Sequence, residues 1–308
     1  MSKLVLSVPS KTFLLGEYVA LNGGPAIIMQ TEPRFLMEVE SISDDRESKE
    51  IQNPFHQDSI AGKLFCKKNS IFSDKRISFI DPHNGSGGWG RSSAEFALLY
   101  ALAQQGGSEV SNYFGSDIDL KQILTDYQSI AAESGKPSPS GADVIGQITG
   151  GVTFFHRNEG RVQKFSWPFS DIGVILFSTG TKLKTHEHLE KINNYDFSEL
   201  IPSVQKAQQA FQAKDSGIFV QAMNEFAQSL STLGLVAEHT INILKQINHP
   251  SVLSKKGCGA LGADVVAVVF DSNQITSEKL CDDLKFLNLK PVASHQIISK
   301  GLEIEYVQ

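Results

Sequence analysis

The chain has 308 residues, 41% hydrophobic and 20% charged, which is ordinary for a water-soluble globular protein and long enough for a large core, with two domains expected. A formal net charge of −6 argues against a general binder of nucleic acid or anionic membrane, since such partners favour basic faces. No apolar run approaches the roughly 20 residues of a membrane span or forms a signal peptide, and the widely spaced Cys66, Cys258 and Cys281 suggest neither a disulfide framework nor a zinc site, so the cytoplasm is the expected compartment.

Residues 3–8 read as a strand and 12–15 as a second short apolar element. Residues 26–29 and 34–42 continue this strand-rich beginning, with alternation in Phe35-Leu36-Met37-Glu38-Val39-Glu40. Residues 76–80 form another strand and lead into a glycine-rich stretch, Gly85-Ser86-Gly87-Gly88-Trp89-Gly90-Arg91-Ser92-Ser93-Ala94. Helices are predicted at 93–105 and 120–132, a turn into a strand at 150–155, and a buried strand at 172–178. From 197 to 247 the pattern is almost wholly helical, with breaks near 215–217 and 234. A strand at 265–270, a helix at 277–286 and a closing strand at 297–304 complete the chain. The corner Trp167-Pro168-Phe169-Ser170 divides it into 1–169 and 170–308.

Four segments carry chemistry. The glycine-rich loop precedes a helix, whose first N–H groups are unpaired and lie at the positive end of the dipole, so phosphate suits that position. Its serines could cap the helix or ligate Mg²⁺. In Pro9-Ser10-Lys11, the lysine is the last charge before Glu17; it is either a surface lysine on an edge strand or a cation that meets an anion. Lys136-Pro137-Ser138-Pro139-Ser140-Gly141-Ala142-Asp143 is a proline-stiffened loop ending in one carboxylate, which could orient a reacting group or take its proton; Ser140 and Asp143 are equally good helix caps. Lys256-Gly257-Cys258-Gly259-Ala260-Leu261-Gly262 spells GxGxxG. The β-branched run after it reads as a strand, whereas a dinucleotide fingerprint needs a helix there, so a dehydrogenase is disfavoured.

Taken in order, these segments resemble the GHMP kinase superfamily. Pro9-Ser10-Lys11 through Gly16-Glu17-Tyr18-Val19-Ala20-Leu21 looks like its first motif, PGKxxLxGEYAVL. Gly88-Trp89-Gly90-Arg91-Ser92-Ser93-Ala94 resembles GLGSSAA, and Lys256 through Asp264 resembles KxSGAGGGD. Ser140-Gly141-Ala142-Asp143 with Gly150-Gly151 resembles the SGxD…GG segment. Gly16-Glu17-Tyr18, Asp264 and the stretch from Thr179 to Thr185 are similar to the mevalonate-pathway branch, and to its phosphomevalonate kinases before its mevalonate kinases.

The resemblance implies an α+β, two-domain GHMP kinase fold: a ribosomal protein S5 domain 2-like N-terminal half that binds ATP, and a ferredoxin-like C-terminal half. It implies ATP and Mg²⁺ as cofactors, and phosphoryl transfer to a small acceptor, phosphomevalonate or mevalonate, with a homodimer left open. Asp143 and Lys11 would be catalytic. Gly87, Gly88, Gly90, Arg91, Ser92 and Ser93 would hold the ATP phosphates, with Ser92 and Glu133 on the metal. Lys11, Glu17, Tyr18, Ser140, Gly141, Lys182, Gly259 and Ala260 would contact the acceptor. Ser10, Arg91, Leu261 and Ala263 depart from the family pattern, which also admits a catalytically impaired, metabolite-binding relative.

Overall fold

The computed structural model describes residues 3–42, 53–105, 118–133, 138–181 and 196–307. Two antiparallel sheets and their helices share the core. In the first sheet, β1 (Lys3–Leu15) pairs with β2 (Pro25–Ser41) along nearly its whole length, with register shifts at Pro9/Ser10 and Phe13/Leu15. The far half of β2 takes β3 (Lys75–Ile80) as its next partner and the near half takes β4 (Val152–His156), which pairs with β5 (Arg161–Phe165). The second sheet comprises β6 (Ile172–Ser178), β7 (Val252–Cys258), β8 (Val265–Asp271) and β9 (Lys290–Ser294), in the order β7-β8-β6-β9. The last strand, β10 (Glu303–Val307), returns to the first sheet and pairs with β1.

Helices α1 (Ile60–Lys67), α2 (Asn69–Phe72), α3 (Arg91–Gln104), α4 (Leu120–Ala132) and α5 (Ala142–Thr149) belong to the first part of the chain. Every residue of α3 from Ser93 to Ala103 is buried, because the helix lies between α1, α5 and the β1–β2 sheet; it has no polar face to offer water. Helices α6 (Ile201–Ala213), α7 (Ser216–Thr232) and α8 (Glu238–Gln246) form the expected helical stretch, broken at Asp215 and Gly234, and α9 (Ser277–Asp283) follows β8.

The β-branched run of β8 is buried on both faces. Val265, Ala267 and Val269 point into the main core, which spans both sheets, while Val266, Val268 and Phe270 point into a smaller core with Ile175, Phe177 and Leu280. Alternation of period 2 thus sorts one apolar strand between two clusters. The closing strand lies further along than expected: residues 295–297 form a 3-10 turn, and the strand occupies 303–307. The helix expected at 277–286 ends at Asp283 and passes into a second 3-10 turn.

Candidate active site

The glycine-rich loop lines one cavity of about 910 Å³ from Gly85 to Ser93. Gly88 (φ +86°) and Gly90 (φ +88°) hold left-handed angles that bend it tightly into α3. Gly90 is the N-cap and supplies no side chain, while Ser93 Oγ donates back to the Gly90 carbonyl at 2.9 Å. The first N–H groups of α3 therefore have no side-chain cap and border the cavity, which is the arrangement that receives an anion. Arg91 is engaged elsewhere: Nε meets Glu95 at 2.8 Å and a terminal nitrogen meets Asp81 at 3.4 Å. Glu95 raises the guanidinium's pKa further, and the two carboxylates offset its charge beside the loop.

Lys11 is brought beside this loop by backbone pairing. Its N–H donates to the Trp89 carbonyl at 2.9 Å. The preceding Ser10 Oγ donates to Pro33 O at 2.5 Å and meets His83 Nε2 at 2.6 Å, and the His83 ring stacks on Trp89 at 4.9 Å. Since the hydroxyl hydrogen goes to Pro33, His83 carries its proton on Nε2, and burial lowers its pKa. Lys11 Nζ lies 4.8 Å from the Phe13 ring centroid. An added Cβ at Gly90 would stand 2.5 Å from Lys11 Cγ, so the loop approaches this side chain as closely as only glycine allows.

Asp143 sits in the first turn of α5, after Gly141 at φ +75°, and lines the same cavity. Its Oδ1 accepts from the Val144 N–H at 3.2 Å, and Ser140 Oγ accepts from Ala142 N at 3.3 Å; the N-cap itself is Gly141, so neither side chain caps the helix, and both face the site. Tyr127 of α4 also lines the cavity; burial, and then the Asp143 charge, raise its pKa, so it is a neutral phenol.

The far wall is the 259–264 loop. Leu261 is left-handed at φ +55°, and Tyr18 Oη accepts its N–H at 2.7 Å. Thr240 Oγ1 donates to Gly262 O at 3.1 Å, and Thr179 Oγ1 to Ala263 O at 2.5 Å. Asp264 meets the glycine-rich loop: an added Cβ at Gly87 would lie 2.7 Å from its carboxylate. Beneath, Glu17 and Lys256 form an ion pair at 2.8 Å with side chains 4% and 1% exposed, and Cys258 Sγ is 3.6 Å from the same ammonium. Burial raises the Glu17 pKa. For Lys256 burial acts downward, but the neighbouring thiol and carboxylate outweigh it and leave the ammonium raised.

Lys11, Gly87, Gly88, Gly90, Arg91, Ser92, Ser93, Ser140, Asp143, Glu17, Tyr18, Gly259 and Ala260, distant in sequence, thus line one cavity. The geometry changes the reading of several. Glu17 is engaged with Lys256, Tyr18 donates and accepts within the protein, and Gly141 is the cap of α5 without being among the lining residues. Glu133 does not line the cavity; it is exposed at the end of α4 and pairs with Lys67, so it is not brought together with Ser92. Lys182 lies outside the described residues. Asp264, Tyr127 and Glu95 line the cavity in addition to the residues the motifs point to. Asp264 closes the third glycine motif, and that position was the available signal.

The two sheets, the loop-to-helix turn and the order of the segments match the mixed α and β fold of solved GHMP kinases. Among solved structures, the chain is similar to Streptococcus pneumoniae phosphomevalonate kinase in complex with phosphomevalonate and AMPPNP (TM-score 0.73, 14% identity, 94% of this chain and 98% of that one). It is also similar to Methanococcus jannaschii mevalonate kinase (TM-score 0.71, 16% identity, 96% and 98%) and to Lactococcus lactis galactokinase complexed with galactose (TM-score 0.67, 12% identity, 98% and 95%). No protein-family model and no curated protein matches the sequence.

Proposed function

We propose that the chain is an ATP- and Mg²⁺-dependent GHMP-family kinase that transfers the γ-phosphoryl group to phosphomevalonate. One observation carries the reading: an uncapped helix N-terminus on a glycine-rich loop, Lys11 and Asp143 border one cavity. The likeness to a phosphomevalonate kinase bound to its acceptor and a nucleotide analogue supports the choice of substrates.

Among the described residues no group of three or more His, Cys, Asp or Glu could hold a metal ion. Mg²⁺ does not need one, since it keeps several waters and takes its remaining ligands from substrate phosphates and one or two protein oxygens. The Ser92 hydroxyl and the Asp143 and Asp264 carboxylates, all bordering the cavity, are hard oxygen donors of the right kind and would hold it. When bound, it neutralises charge on the transferring phosphates.

Phosphoryl transfer is chiefly positioning and charge stabilisation. The N–H groups at the start of α3 receive the nucleotide phosphates, and Lys11 stabilises charge on the group in transit. The role of Asp143 depends on the acceptor. A phosphomonoester, with a second pKa of about 6, is already largely ionised at neutral pH, so Asp143 orients it and little proton removal is needed. An alcohol acceptor such as mevalonate would need Asp143 as base.

The test is ADP release from ATP–Mg²⁺ with mevalonate, phosphomevalonate, homoserine or galactose, for the parent, Asp143→Asn and Lys11→Met. Turnover on phosphomevalonate, with Lys11→Met losing more than Asp143→Asn, is expected. Turnover on mevalonate with Asp143→Asn the worse variant would move the assignment to mevalonate kinase, and no ADP release with any acceptor would defeat the reading.

A further inference from the structure

Asp143, Lys11 and the glycine-rich loop come from three elements, and one side chain touches the backbone of two while standing on the third. Gln147 is fully buried in α5, four residues after Asp143 and hence on the same helix face, one turn deeper. A carboxamide nitrogen has two hydrogens. Gln147 Nε2 lies 2.9 Å from the carbonyl of Pro9, two residues before Lys11, and 3.2 Å from the carbonyl of Gly90, the N-cap of α3. The loop also packs closely on this amide, because a Cβ at residue 90 would stand 3.1 Å from Nε2 and force it to give by a few tenths of an ångström.

The other end of the amide argues that stability alone does not account for it. Gln147 Oε1 is buried with no hydrogen-bond partner among the described residues. An unsatisfied buried acceptor costs about 1–3 kcal/mol, which offsets much of what the two donated hydrogen bonds contribute to stability. The donors serve two backbone carbonyls that must be held at a fixed separation. We infer that Gln147 is a positioning residue, which fixes the Asp143 helix, the Lys11 strand and the start of α3 in one register. This rests on the kinase reading for its functional consequence, and on the two hydrogen bonds for its structural one. Displacements near 1 Å at reacting groups can cost about 100-fold in rate.

The experiment uses Gln147→Met and Gln147→Leu in the full chain, both of which remove the donors and the orphaned acceptor together. Steady-state ADP release gives kcat and the two KM values, and hydrogen–deuterium exchange follows β1 and residues 88–96. Expected are a kcat lower by about 30-fold or more with both KM values within about threefold, and faster exchange in both segments. A kcat within about threefold of the parent's, or unchanged exchange in either segment, would overturn the inference. If the parent turns over none of the acceptors, the kinase reading fails, and the exchange result alone decides whether Gln147 anchors the two segments.

Discussion

Glycines with left-handed angles do different work at different places, and substitution separates them. Gly234 (φ +68°) ends α7, with its N–H on Ser231 O and the next N–H on Leu230 O, and among the described residues nothing lies within 4 Å of an added Cβ. Gly234→Ala should therefore cost only the backbone strain, about 1–2 kcal/mol by urea denaturation, with turnover unchanged. At Gly90 the same strain comes with a Cβ 2.5 Å from Lys11 Cγ. Gly90→Ala should destabilise more than Gly234→Ala and also lower kcat, and equal effects on both readouts would show that the close approach is unimportant. The Glu17–Lys256 pair allows a second test, because removing one partner strands a buried charge. Lys256→Met should cost about 3–5 kcal/mol, and adding Glu17→Gln should recover much of it, since the stranded carboxylate is then gone. Denaturation of the two singles and the double would read this directly. A double mutant no more stable than Lys256→Met would mean that packing of the lysine stem against its neighbours, Phe226 among them, decides the site.

Among the elements, the 259–264 loop is the one most dependent on a distant side chain. Tyr18 Oη accepts the Leu261 N–H at 2.7 Å and lies 3.4 Å from Leu235 O, joining the turn after β1 to the far wall of the cavity. Tyr18→Phe keeps the ring against Phe197 and leaves the strained Leu261 without that acceptor, at a cost of about 1–3 kcal/mol. Exchange should quicken at residues 259–264 and not in the helices; unchanged exchange would mean that Thr179 and Thr240 suffice to hold the loop. Such a contact, 243 residues apart in sequence, has no local signature, which is why Tyr18 reads as an acceptor-contacting residue from its motif alone. The elements themselves differ in legibility for similar reasons. Helix α4 and strand β6 match their sequence patterns because one apolar stripe and one apolar run are unambiguous. Strands β1 and β2 read as pairs of shorter pieces, since Pro9-Ser10 and Thr31-Glu32-Pro33 look like turns; paired along their lengths, they accommodate the irregularity as register shifts. Strand β7 escapes notice because Lys255 and Lys256 look solvated, yet Lys256 is buried on Glu17. Of the site, the glycines, Lys11 and Asp143 are legible from local motifs. Gln147 and Tyr127 enter the site through contacts that only the fold creates, and Asp264, legible as the end of the third glycine motif, meets the glycine-rich loop only in the folded chain.

At the scale of the whole molecule, two histidines tie its stability to pH. His83 lies beside the glycine-rich loop, stacked on Trp89, and His295 lies between Trp167 and Phe270 with Nδ1 accepting the Val174 N–H at 3.2 Å. Burial lowers both pKa values from the ordinary 6.5; Asp81 opposes this at His83, and the Val174 backbone opposes it at His295, without reversing it. The sign follows from proton counting. Above pH 6.5 both residues are neutral folded or unfolded, and the contribution to stability is complete. As the pH falls below 6.5, the unfolded chain takes up protons that the native state refuses, so stability declines until the native pKa values are passed. Each histidine contributes at most one proton to that slope, about 1.4 kcal/mol per pH unit. Urea denaturation between pH 7.5 and 5 should show the decline, and His83→Asn should remove up to one proton from it. The same substitution exchanges the imidazole's hydrogen bond to Ser10 for a shorter amide, next to Lys11. An unaltered slope in His83→Asn would show that His83 titrates alike in both states, and would leave its role in the stack on Trp89 as a matter of packing alone.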